Sequence, residues 1–210
     1  VKKTMKRIMI TNDDGINASG IIRLAKSVKK YGEVWGVAPD VQKSGASHSI
    51  NLHTPFTVAK ADFPVDGVRA FGVSGSPADC VRVGVLNILP QKPDIVLSGI
   101  NFGYNAGSDV MYSGTIGAAM EAIFQGIPSI AFSEGTNDGY IITQMYLDEV
   151  LSEVMNMELG TDKILNVNFP TCDPKEFKGI LRNRFVSKGF IFKDHYNCKE
   201  LADGTKEYMV

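Results

Sequence analysis

Apolar residues along the chain fall into short runs at two periods, and the alternation between them predicts the architecture. Arg7–Thr11 (RIMIT) is short, apolar and β-branched at Ile8 and Ile10, as expected of a strand buried on both faces. Ser19–Tyr31 follows as a helix. Ile21, Leu24, Ala25 and Val28 recur at helical spacing, with Lys26, Lys29 and Lys30 turned to water. Gly32 stands where a helix C-terminal cap is expected, and Glu33–Ala38 (EVWGVA) reads as a second strand. A β-α-β opening implies a parallel pair.

The same reading continues down the chain. After a small, polar loop from Pro39 to Ser49 come two β-like runs, Phe56–Lys60 and Val68–Val73. A helix is predicted within SGSPADCVRVGVLNIL, with Ser76 as cap, Pro77 in the first turn and Asp79 at the positive end of the dipole. Asp94–Leu97 (DIVL) is a buried strand that leads into glycine-rich SGINFGYNAGSD, and a helix opens near Ser113. Ser129–Phe132 is a strand, Tyr140–Met157 a helix packing through Ile141, Met145, Leu147 and Leu151, and Ile164–Phe169 a last core strand. The segment from Phe177 onward lacks a clear period and reads as strands or a β-hairpin outside the main sheet, reaching toward a partner subunit. Buried strands alternating with helices predict an α/β fold: a Rossmann-like, doubly wound, mostly parallel sheet with a C-terminal extension.

Length and composition fit this picture. With 210 residues and 44 % hydrophobic content, one domain over 1–210 is expected, its core spanning about 7–169 and its extension about 177–210. The sequence ends in KEYMV, an apolar run without turn chemistry, so the natural chain is expected to continue. A net charge of -1 argues against binding to nucleic-acid polymers, which requires a basic face. No apolar run approaches the ~20 residues of a membrane span, and the basic opening VKKTMKRIMI lacks the long apolar core of a signal peptide. Three scattered cysteines, Cys80, Cys172 and Cys198, suit a reducing cytoplasm better than a disulfide framework.

Candidate chemistry gathers at one edge. Parallel sheets bind ligands beyond the carboxyl ends of their strands. Asp13 and Asp14 follow the first strand, Ser44 and Gly45 lie in the loop after the second, and Asn101 follows DIVL. Ser113, Gly114 and Thr115 start the next helix. Adjacent carboxylates repel, and a divalent cation removes that repulsion; Gly15 lets the chain turn beside it. Carboxylate, hydroxyl and carboxamide are hard donors suited to Mg²⁺, Mn²⁺ or Ca²⁺. The YSGT helix start offers N–H groups and hydroxyls to a phosphate. Gly45, Ser113, Gly114 and Thr115 are therefore the candidate phosphate contacts. Together these features suggest metal-assisted phosphate-ester hydrolysis, in which the attacking group is water. No separate nucleophile stands out, and Asp13 or Asp14 is the candidate to handle its proton.

Three histidines, His48, His53 and His195, lack zinc-like spacing. His48 reads as a structural hydrogen-bonding residue or, near Ser44, an acid–base group. Arg23 and Arg82 read as surface helix positions or phosphate contacts, and Cys80 as core.

These same segments resemble the SurE family of metal-dependent nucleotidases, the survival proteins. The likeness is carried in order by ITNDDGINASGI, VAPDVQKSGASHSI, SGSPADCVRVG, PDIVLSGINFGYNAGSDVMYSGTIGAAMEA and GIPSIAFS, with VNFP near its end. It implies hydrolysis of nucleoside 5′- and 3′-monophosphates to nucleoside and phosphate. It further implies one divalent cation per subunit, held by residues matching Asp13, Asp14, Ser44 and Asn101, and a homodimer or homotetramer exchanging C-terminal elements. A rival is the phosphoacceptor receiver domain, which also carries an acid pair after its first strand. Its acceptor Asp would fall at Gly99, which has no side chain. A dinucleotide-binding Rossmann protein would need G-x-G-x-x-G where NDDGINASG stands. An aspartyl-phosphate enzyme would want an acid two places after Asp13, where Gly15 lies.

Overall fold

The first strand, β1 (Lys6–Thr11), lies at the middle of the sheet because its apolar side chains are buried on both sides. A computed structural model of the chain describes residues 5–136, 140–193 and 195–210; residues 1–4 of the basic opening and Asp194 of the tail lie outside them. Helix α1 (Ser19–Val28) buries Ile21, Leu24, Ala25 and Val28, the predicted stripe, and ends in a 3₁₀ turn at Lys29–Tyr31. Gly32 is the C-terminal cap of that turn, as expected, though not in the left-handed conformation. It has extended backbone and begins β2 (Gly32–Pro39), and glycine is required because a Cβ there would lie 1.8 Å from the Lys6 carbonyl oxygen.

Beyond β2, the two β-like runs are β3 (Val58–Lys60), shorter than predicted and with all three residues exposed, and β4 (Arg69–Val73). Helix α2 (Pro77–Val83) starts with the expected Ser76 cap. Ser76 Oγ accepts from Asp79 N at 3.0 Å, and Asp79 Oδ2 accepts from Ser76 N at 2.9 Å. It yields after Val83 to a π-turn over Gly84–Ile88 and does not run on as one helix. Strand β5 (Ile95–Phe102) is longer than DIVL predicted. It continues because Ile100 is buried, and its pairing shifts register between Ser98 and Asn101. Gly99 permits the shift: its φ is +135°, and a Cβ would sit 2.2 Å from the Phe132 carbonyl oxygen. Asn101 therefore belongs to a strand end and not to the loop after it.

The remaining elements are α3 (Gly114–Phe124), β6 (Ser129–Glu134), α4 (Ile141–Val154) and β7 (Leu165–Phe169). Two α4 residues expected in the core, Ile141 and Met145, face solvent instead, while Leu147, Val150, Leu151 and Val154 pack inward. Among the described residues of the tail, β8 (Asn197–Glu200) and β9 (Lys206–Met209) pair as an antiparallel hairpin outside the main sheet.

The main sheet runs β3-β4-β2-β1-β5-β6-β7, parallel except for the antiparallel edge strand β3. One apolar cluster joins Ile8, Ile10 and Leu97 to α1 and α4; another joins Met9 and Val96 to α2 and α3. Helices thus cover both faces, as a parallel sheet requires. The strand order reverses between β1 and β5, and the crevice at that switch point is where ligands bind in such sheets.

Candidate functional site

Asp13 and Asp14 leave β1 into this crevice on a turn braced by Asn12. The Asn12 side chain accepts from Gly15 N at 3.1 Å and donates to Gly15 O at 2.9 Å. Gly15, at φ +106°, takes the left-handed backbone that the turn needs. The loop after β2 is fastened to this turn: Ile16 N donates to Pro39 O and Lys43 N to Asp13 O, both at 2.7 Å. It then crosses to α3. Ser47 N and Oγ donate to Tyr112 O at 3.0 Å and Met111 O at 2.9 Å. Gly117 makes this crossing possible, since a Cβ there would meet the Ser47 carbonyl oxygen at 2.1 Å. Ser44 and Gly45 are carried on the span between these fastenings, and Gln42 Nε2 donates to Ser44 Oγ at 2.9 Å.

The two carboxylates differ in setting. Asp13 is 3 % exposed and accepts from the Thr115 hydroxyl. Burial pushes its pKa up from 3.8 to about 6; the Thr115 hydrogen bond pulls it down, and the charge of Asp14 raises it again. Asp14 is partly open and accepts from Phe102 N at 3.0 Å. Burial raises its pKa too, opposed by that N–H and reinforced by Glu134. Among the described residues neither carboxylate has a Lys, Arg or His ion-pair partner. A buried acid beside a half-buried one, neither with a cationic partner among the described residues, is a pair that a cation would stabilise.

Asn101 stands at the end of β5, beside Phe102, and donates its Nδ2 to Gly103 O at 2.9 Å. Among the described residues no cluster of three His, Cys, Asp or Glu side chains could hold a metal. Two adjacent carboxylates, Asp13 and Asp14, are the acids at this crevice.

At the start of α3, Thr115 is fully buried and its hydroxyl donates to the Asp13 carboxylate, which it orients. Ser113 caps the helix, its Oγ accepting from Ile116 N at 3.1 Å, and keeps its own O–H to donate. Gly114 is needed for close approach, because a Cβ would lie 2.8 Å from the Cβ of Asp13. Gly45, at φ +71°, has open space around it.

The other sequence candidates fall outside this centre. His48 Nε2 pairs with Glu121 Oε2 at 2.8 Å, and Arg82 reaches the other Glu121 oxygen at 3.2 Å. His48 is thus a structural tie between the loop and α3. Arg23 holds Glu134 with two hydrogen bonds, one at 3.0 Å. Cys80 is core. Residues that sequence reasoning passed over are Asn12, Phe102, Glu121 and Glu134. Two left signals: Asn12 opens an Asn-Asp-Asp-Gly turn, and Glu121 is a lone acid in the apolar helix GAAMEAIF.

A family model described as "Survival protein SurE" matches residues 8–190. A "5'-nucleotidase SurE" of Clostridium botulinum (strain 657 / Type Ba4) is 42 % identical over 203 residues, covering 95 % of this chain and 79 % of the relative. One of the same description from Alkaliphilus metalliredigens (strain QYMF) is 44 % identical over 177 residues, covering 83 % of this chain and 70 % of the relative. The crystal structure of the SurE protein from Aquifex aeolicus superposes with a TM-score of 0.77 at 37 % identity, covering 97 % of this chain and 81 % of that one.

Proposed function

This chain belongs to the SurE family, and from that premise we propose that it is a divalent-metal-dependent phosphomonoesterase that hydrolyses nucleoside monophosphates to nucleoside and phosphate. The observation that carries the reading within the site is the pair Asp13 and Asp14. Asp13 is buried and Asp14 half-buried beyond β1, at the switch point, and among the described residues no protein cation pairs with either. The receiver-domain alternative has no acceptor carboxylate at Gly99, which is instead spent on the register shift of β5.

Asp13, Asp14, Ser44 and Asn101 would hold the cation, Mg²⁺ or Mn²⁺ by the hardness of these donors, with Ca²⁺ an alternative occupant. A divalent ion there supplies Lewis acidity toward the phosphoryl oxygens. The protein's own groups do the rest. Thr115 fixes the Asp13 carboxylate, and the Phe102 N–H fixes Asp14. Gly45 N–H, the Ser113 hydroxyl and the first-turn N–H of Gly114 bind phosphoryl oxygens, aided by the positive end of α3. Asp14 is the more open of the two acids, so it is the one placed to take the proton of an attacking water.

The family reading extends to nucleoside 5′- and 3′-monophosphates, with no role for nucleic-acid polymers. The exposed apolar side chains Leu181, Phe185, Phe190 and Ile191 favour a homodimer or homotetramer that covers them. Among the described residues no helix is long and apolar enough to cross a membrane, and the three free thiols suit a cytoplasmic location. A panel of nucleoside monophosphates assayed with Mg²⁺ or Mn²⁺, before and after chelation, tests the reading. Phosphate release must appear with the metal and vanish with the chelator; release that survives complete chelation overturns it.

A further inference from the structure

Beside the acid pair the crevice widens into a cavity of about 200 Å³. Its wall includes Asp14 and Gln42 from the two loops, Phe102 from the end of β5, Glu134 from the end of β6, and Tyr140. Phe102 is unusual there. It is 51 % exposed at the end of a strand whose residues from Ile95 to Ile100 are all buried, and it follows the half-buried Asn101. Its position is nevertheless fixed. Its N–H is bonded to Asp14, and the chain turns away at once through Gly103, whose N–H bonds to Glu134 O at 2.9 Å. Tyr140 is steadied by the Arg23 guanidinium, 4.0 Å from its ring centre, and Arg23 is itself held by Glu134.

These features choose between possible occupants. A second phosphate is disfavoured, because the wall presents Asp14 and Glu134, and Arg23 is already engaged by Glu134. A flat aromatic group is favoured, because an exposed ring stands on rigid backbone next to the acid pair and a second aromatic side chain shares the wall. We propose that this cavity receives the nucleoside end of the substrate and that the Phe102 ring is the platform on which its base stacks. The inference rests on the nucleotidase reading above and adds the residue that recognises the base. Every base has a π-face, so a stacking platform accepts purines and pyrimidines alike.

The test uses the full chain with Mn²⁺ and three substrates: adenosine 5′-monophosphate, cytidine 5′-monophosphate and ribose 5-phosphate, which has no base. For Phe102→Ala, KM for both nucleotides should rise about tenfold, the size expected for one lost stacking contact. The ratio of kcat/KM for nucleotide over ribose 5-phosphate should fall by the same factor. Phe102→Tyr keeps the ring and should restore the ratio. Phe102 is exposed and its N–H survives in both variants, so matching melting temperatures check that the fold is intact. An unchanged ratio in Phe102→Ala overturns the proposal, as does a wild type that shows no preference for nucleotides over ribose 5-phosphate. A wild type that hydrolyses none of the three would instead refute the nucleotidase reading itself, so the two failures are told apart.

Discussion

Replacing Asp13 by asparagine should make the cation-free protein more stable and remove its response to divalent metal. The magnitude follows from the burial of this carboxylate. Its pKa rises from 3.8 to about 6, chiefly through desolvation and with help from Asp14. At ~1.4 kcal/mol for each tenfold in proton affinity, that corresponds to about 3 kcal/mol of destabilisation once the group is ionised. The sign is set by linkage. The folded state holds this proton more tightly than the unfolded state, so the penalty is absent below about pH 4, grows as pH rises toward 6, and is complete above it. Asparagine is nearly isosteric, and its Oδ1 still accepts from the Thr115 hydroxyl, but it carries no charge to desolvate. For a chain of this size ~1 kcal/mol moves the melting temperature by roughly 2–4 °C. Melting in chelator at pH 7.5 should therefore place Asp13→Asn about 6–12 °C above wild type, with the gap closing as the pH is lowered to 4. Added Mg²⁺ or Mn²⁺ should raise the wild type and leave the variant nearly unmoved, and the variant should release no phosphate. An Asp13→Asn protein that melts at or below wild type in chelator at pH 7.5 would refute the account of the acid pair.

The neutral donors should rank below the acids. By calorimetric titration, Ser44→Ala and Asn101→Ala should lose less metal affinity than Asp14→Asn, since a neutral oxygen contributes less Coulomb attraction than a carboxylate; a ranking with Ser44 first would mean that the donor set is misassigned. At the start of α3 the two hydroxyls should separate. Thr115→Val removes a bond to a carboxylate, a loss of about 1.5–3 kcal/mol, and should weaken metal binding together with activity. Ser113→Ala loses a helix cap and should lower the melting temperature by roughly 2–4 °C, with a further loss of up to about tenfold in kcat/KM if its O–H donates to phosphate. Full activity with only the lower melting temperature would remove Ser113 from the phosphate pocket.

Much of this protein is written locally. The period-2 and period-3.6 runs place β1, α1, β2, α3 and β6 because backbone geometry and burial act on neighbouring residues. The Ser76–Asp79 capping box is read from four consecutive positions for the same reason. Asp13, Asp14, Ser44 and Asn101 could be gathered at one edge from sequence, since each follows a predicted parallel strand and such strands end on one side of the sheet. Where the local pattern misled, a distant contact had prevailed. Ile100 prolongs β5 past the point where its composition turns polar, and Gly32, besides capping the helix end, leaves room for the carbonyl of Lys6.

What only the tertiary structure decided is the division of labour inside the site. Thr115 meets Asp13 across 102 positions of sequence, and the Phe102 N–H meets Asp14 across 88. No local rule pairs them; they touch because the reversal of strand order brings β1, β5 and the start of α3 to one crevice. The same packing buries Asp13 and leaves Asp14 partly open, though the two are adjacent and chemically alike. Sequence determined that two acids stand beyond β1. Their unequal burial exists only once α3 closes over one of them.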